Sequence, residues 1–192
     1  MPVWNEHDNK QYHGDWLVKP VVQKATIYKS TDGKDIILYN GLLKRSFRIA
    51  PNVVCTDFVN FSNGQQLLRA LKPEAKIVID NKAYNVGGLY GQTEKAYLLT
   101  DWLNQLKDDA NDFHLVNITS GAVKPRLNWQ CNTWAYNKKQ PTGIELVFHY
   151  GLNQSAIKGI TVAVHYELYD GIPLMVKWVE VINLETLSVV VI

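Results

Sequence analysis

The sequence predicts an all-β protein: a large two-sheet antiparallel β-sandwich, of the supersandwich kind, with one short helix near residues 97–107. Three observations carry this. Runs rich in β-branched and aromatic residues, about twelve of them, recur along the chain between Gly, Asn, Asp and Pro punctuation. Asp32-Gly33, Asn40-Gly41 and Asp170-Gly171 each stand between two such runs, as hairpin turns require. Only one stretch has the spacing of a helix, so strands do not alternate with helices as a parallel βαβ sheet would need.

Composition narrows the class without naming a reaction. The 192 residues are 46% hydrophobic and 20% charged, the balance of a globular core. The net charge is +2 with scattered Lys and Arg, so nothing points to nucleic acid or a membrane surface. No apolar run reaches the length of a membrane span, and MPVWNEHDNK is not a signal peptide. A secreted or periplasmic location is favoured if a signal was removed. Cys55 and Cys131 show no metal-ligand spacing, and no cofactor is expected. Sequons at Asn60, Asn117 and Asn153 arise readily by chance in a chain this rich in Asn, Ser and Thr.

Taken in order, residues 1–24 read as an N-terminal arm carrying Trp4, Tyr12 and Trp16, with a short strand at Trp16–Val18. Residues 25–192 form the sandwich. ATIYKST (25–31), DIILY (35–39) and LLKRSFRI (42–49) make a meander through the DG and NG turns. Pro51 breaks the run before NVVCTDFVNF (52–61). Leu67, Leu68 and Leu71 suggest a helical turn stopped by Pro73. IVI (77–79), the Asp80-Asn81 turn and AYNV follow. In YLLTDWLNQLK (97–107), Leu98, Leu99, Trp102, Leu103 and Leu106 share one helical face. Short strands are expected across 114–137, then IELVFHYGL (144–152), the long hairpin 160–183 and LSVVVI (187–192). Stopping on an apolar β run is expected of a domain cut from a longer polypeptide.

The hairpin ITVAVHYELYDGIPLMVKWVEVIN is the best-formed element. A two-residue turn at Asp170-Gly171 places Tyr169 opposite Ile172, Glu167 opposite Leu174, His165 opposite Val176 and Ala163 opposite Trp178. One face is then apolar. The other mixes His165, Glu167 and Glu180 with Leu174, Val176 and Trp178, and is expected to be partly covered.

Chemistry is sparse. The chain has no G-x-S-x-G, P-loop, H-E-x-x-H or G-x-G-x-x-G. His149 and His165 fall on neighbouring strands and could meet, as acid, base or ligand, and Glu167 on the partly polar face is a candidate for one carboxylate of a glycosidase pair whose partner the sequence does not indicate. Asp170 is explained by its turn. Arg126, Trp129, Trp134 and Tyr136, near Lys124, compose a candidate carbohydrate surface, rings stacking on a sugar while Arg donates hydrogen bonds. The plain alternative is that these tryptophans plug one end of the sandwich.

Four phrases together, YNGLLKRSFRI (39–49), LLRALKPEAKIVIDNKAYNVGGL (67–89), the Trp129 to Pro141-Thr142-Gly143 segment and VHYELYDGIPLMVKWVEVIN (164–183), carry a resemblance. They resemble the N-terminal β-supersandwich domain of α-galactosidase (melibiase)-like glycoside hydrolases, a fold like that of galactose mutarotase. The resemblance implies an accessory domain that packs on a catalytic barrel and can lend a loop residue to the substrate pocket, sometimes in a neighbouring subunit. It implies carbohydrate, a C-terminal catalytic domain of the same polypeptide and further copies of the chain as partners. It supplies no catalytic residue within this chain. A free-standing carbohydrate-binding module and a mutarotase-like epimerase are the alternatives.

Overall fold

The computed structural model describes residues 1–5, 11–68, 70–93, 98–126, 141–152 and 159–183. Eleven strands lie among them. A five-stranded antiparallel meander is built from β1 (Thr26–Lys29), β2 (Asp35–Tyr39), β3 (Leu43–Arg48), β4 (Val54–Asn60) and β5 (Gln65–Gln66) in chain order. After the separate hairpin β6 (Ala75–Ile79) and β7 (Lys82–Val86), a four-stranded meander runs through β8 (His114–Ala122), β9 (Gly143–Gly151), β10 (Ile160–Tyr169) and β11 (Met175–Asn183).

The two meanders pack face to face as a sandwich. Phe47 of β3 meets Phe148 of β9 at 5.0 Å and Tyr166 of β10 at 4.9 Å between ring centroids. Leu38, Leu146, Tyr150, Val162, Val164 and Leu168 are fully buried around them. Such inward alternation from both sheets is what a sandwich core needs.

The continuous apolar run of β2 has its own cause. Ile36 and Leu38 point into the core, while Ile37 and Tyr39 lie beneath the N-terminal arm. Trp4 stands edge-on to Tyr28 at 5.2 Å and to Tyr39 at 5.0 Å, and Val3 bridges Lys29 in parallel. The arm thus covers the far side of the first sheet, and β2 is buried on both faces. The strand expected at Trp16–Val18 is instead a turn, in which Asp15 O accepts from Val18 N (3.1 Å) and Lys19 N (2.7 Å).

Two turns follow their residues closely. Gly41 (φ +87°) is the first central residue of the β2–β3 turn, because Asn40 N already donates to Leu43 O. Asp80 and Asn81 take φ of +48° and +61°, the paired left-handed geometry of a tight two-residue hairpin. The helix near 97–107 is a six-residue 3-10 segment, Thr100–Gln105, without a side-chain cap at its start or a basic residue in its last turn. Leu103 and Leu106 pack with Val54, Leu71 and Leu89, but Leu99 of the expected apolar face is exposed. The helical turn expected at 67–71 is absent from residues 67 and 68, where Leu67 N prolongs the β4 pairing by donating to Phe58 O at 2.7 Å. The run 187–192 lies outside the described residues.

The β10–β11 register is corrected by two residues. Tyr169 N donates to Leu174 O, so the loop holds four residues, Asp170 to Pro173, and His165 faces Trp178, Glu167 faces Val176 and Ala163 faces Glu180. A two-residue turn would lay Pro173 opposite Leu168, where it has no N–H to donate to the ladder. A slip of two leaves every side chain on its expected face.

Candidate functional site

The face of the second sheet turned away from the core carries a compact polar cluster. On β10, His165 and Glu167 lie on that side; β9 supplies Glu145 directly opposite Glu167, and β11 supplies Trp178 opposite His165 with Glu180 two residues on. Antiparallel pairing alone brings these residues together from positions 145 to 180.

Glu167 is the centre. Only 1% exposed, it accepts from Arg126 Nε (3.2 Å) and Nη2 (3.0 Å) and from the Tyr169 hydroxyl (2.6 Å). A forked guanidinium contact on a carboxylate is among the stronger ion pairs and fixes orientation as well as charge. The same guanidinium sits over the Trp178 ring, 3.7 Å from its centroid. Burial, followed by donation to Glu167, pushes the Tyr169 hydroxyl up to about 12. It therefore stays a proton donor.

His165 stacks on Trp178 with centroids 4.4 Å apart and planes 14° from parallel. Its Nδ1 lies 2.9 Å from Glu145 Oε1, and its Nε2 lies 3.5 Å from Glu180 Oε2 without hydrogen-bond alignment. Trp178 is thus engaged by two groups of the chain itself. On this mixed face Glu167 is buried beneath Arg126, whereas the side chains of Arg126 and Glu180 stay 40% and 56% exposed.

Both ends of the aromatic segment 127–140 are fastened to the end of β10. Arg126 precedes it, tied to Glu167. Thr142 follows it, its Oγ1 donating to Asp170 Oδ2 (2.6 Å) while Asp170 N donates to Thr142 O (2.8 Å). Asp170 therefore does more than form a turn. Its other oxygen accepts from Ala25 N at 2.7 Å, and Lys24 lies 3.5 Å away. Burial opposes ionisation of Asp170, but the bonds from Thr142 and Ala25 and the Lys24 charge overcome it and set its carboxyl below the usual range. Asn40, fully buried, donates to Tyr169 O (2.6 Å) and Ile172 O (2.8 Å), locking the β2–β3 turn against the β10–β11 loop.

Of the residues singled out by sequence, Arg126 is placed here, while Trp129, Trp134 and Tyr136 lie outside the described residues, as does Cys131. His149 and His165 go to different partners: His149 Nε2 lies 2.8 Å from Thr119 Oγ1. Among the described residues neither imidazole hydrogen-bonds Glu167, and no cluster of three or more His, Cys, Asp or Glu suits a metal. Trp178 and Glu180 share the mixed face that the alternation predicts, and their exact partners on β10 become readable once the four-residue loop is known. Glu145 is announced by no sequence signal other than the pairing of β9 with β10.

A second polar group lies inside the sandwich. Glu74, 5% exposed, accepts from Cys55 N (3.0 Å), from the Tyr166 hydroxyl and from Lys177 Nζ (3.2 Å). Arg45 lies 4.0 Å away, its guanidinium beside the rings of Phe58 and Tyr166. These contacts bridge β3, β4, β10 and β11 through one carboxylate. The Cys55 thiol is free, and burial pushes it up to about 11.

Comparison with protein-family models, with curated proteins and with solved structures finds no match to this chain.

Proposed function

We propose that this chain is a non-catalytic accessory β-sandwich domain of a glycoside hydrolase acting on α-galactoside-like sugars, serving to present the segment 127–140 toward the substrate pocket of a catalytic barrel. The observation that supports this best is the double anchoring of that segment: its flanks, Arg126 and Thr142, are tied to Glu167 and Asp170, three residues apart on the chain. The described residues on either side of Trp129, Trp134 and Tyr136 are thus held in place, which would reduce the ordering cost of presenting aromatic side chains to a sugar.

The outer-face carboxylates favour support over turnover. Glu167 is committed to Arg126 and Tyr169, and Glu145 to His165, so neither is a free acid or base awaiting a substrate. Expression of the barrel with and without this domain tests the proposal. A barrel that hydrolyses an α-galactoside only when the domain is attached or added, with the domain alone inactive, is expected. Full activity of the barrel without it would refute the accessory role.

A further inference from the structure

A second concave site lies away from the outer sheet face. It is an open cleft of about 430 Å³ lined by Leu71, Lys72, Pro73, Lys76, Leu89 and Tyr90, with Asn85 at its side. That volume falls within the range of roughly 300–1,000 Å³ typical of small-molecule sites.

Its residues divide into three kinds. Leu71 and Leu89 are buried and give an apolar floor with Pro73. Tyr90 is 38% exposed yet rigidly placed. Its N donates to Lys107 O and its O accepts from Lys107 N, while its hydroxyl donates to Asp112 and accepts from Asn85 Nδ2. Burial, followed by that bond to Asp112, pushes the hydroxyl up to about 12, so the phenol stays neutral. Lys72 and Lys76 are exposed cations, and among the described residues neither forms an ion pair. Among the described residues no carboxylate lines the cleft; Asp112, 4% exposed, lies behind it as the acceptor of the Tyr90 hydroxyl.

We propose that this cleft binds an acidic monosaccharide of the uronate class, its ring face against Tyr90 and its carboxylate between Lys72 and Lys76. A fixed, part-exposed ring over an apolar floor suits the C–H face of a pyranose. Two lysines that form no ion pair among the described residues supply charge for a carboxylate, which a neutral sugar lacks. The Asn85 Oδ1, whose amide nitrogen donates to the Tyr90 hydroxyl, can accept from a sugar hydroxyl, whereas the Asn85 backbone oxygen is taken by Phe113 N.

Titration of the isotope-labelled chain with galacturonate, followed by amide NMR shifts, tests this, with galactose and acetate as the other arms. Saturable galacturonate shifts at residues 72, 76, 85 and 90 are expected, with both other probes about tenfold weaker or worse. Lys72→Gln/Lys76→Gln is expected to weaken galacturonate about tenfold, whereas Tyr90→Phe, which keeps the ring, retains binding. Absence of saturable shifts with galacturonate, equal binding of acetate, or an unaffected double lysine variant would overturn the site. Because the cleft does not involve Arg126, Glu167 or the 127–140 segment, its failure leaves the accessory role standing, and the reverse also holds.

Discussion

Arg126 and Glu167 stand 41 residues apart in the chain and meet through two hydrogen bonds of 3.2 and 3.0 Å, on the side of the sheet away from the core. The acid side chain is 2% exposed and the base 40% exposed. Removing the base would leave a buried carboxylate with Tyr169 as its remaining donor. Arg126→Ala should therefore cost about 3 kcal/mol, the low end for breaking a buried pair, because Arg126 is part-solvated. Urea denaturation measures this. Arg126→Ala combined with Glu167→Gln should cost less than the sum of the two single changes.

Tyr166→Phe removes one donor from Glu74 and leaves Cys55 N and Lys177. A loss of roughly 1–3 kcal/mol is expected, the penalty for under-satisfying a buried carboxylate. Equilibrium unfolding of the single variant decides it; a neutral result would show that the Tyr166 hydroxyl contributes nothing to the bridge between the sheets.

Alkaline pH should destabilise the fold. The Cys55 thiol is raised to about 11 and the Tyr90 and Tyr169 hydroxyls to about 12, with burial the first cause in each, while Tyr150 and Tyr166 are raised well above their ordinary value. Each raised group stays protonated in the fold and ionises first in the unfolded chain. Its contribution is complete below the unfolded value, near 9 for the thiol, and is lost as pH climbs to the folded one. For Cys55 the slope is about 1.4 kcal/mol per pH unit. Denaturation midpoints at pH 8 and pH 10.5 should differ accordingly, and tyrosinate absorbance should appear in step with unfolding. In a Cys131→Ser background, thiol reagents should modify Cys55 only after denaturation.

Gly143→Ala should disturb the ladder under the polar cluster. A Cβ at this position would lie 2.3 Å from Leu168 O and 3.0 Å from Tyr169 Cα, both backbone atoms with no freedom to swing away. Either the β9–β10 pairing shifts or the end of β9 detaches. Hydrogen exchange should accelerate first at residues 143–146 and 167–169; protection matching the parent chain would contradict the close approach.

Local chemistry made much of the fold legible. The NG and DN turns, the hairpins at both DG sites and the apolar core face of β10 are written in neighbouring residues. Longer-range facts were not. Pro173 shifts the β10–β11 pairing by two, so the contact between His165 and Trp178 depends on one loop. Glu74 follows a proline in an unremarkable turn, yet its partners lie 19, 92 and 103 residues away. No periodicity announces such a residue. Arg126 neighbours Trp129 and Trp134 in the sequence, but its contacts with Glu167 and Trp178 depend on strand pairing 41 and 52 residues further along the chain.

The most direct measurement for the accessory-domain account is the coding sequence beyond Ile192. An open frame that continues into a barrel bearing a pair of catalytic carboxylates is expected. A stop codon there would contradict it.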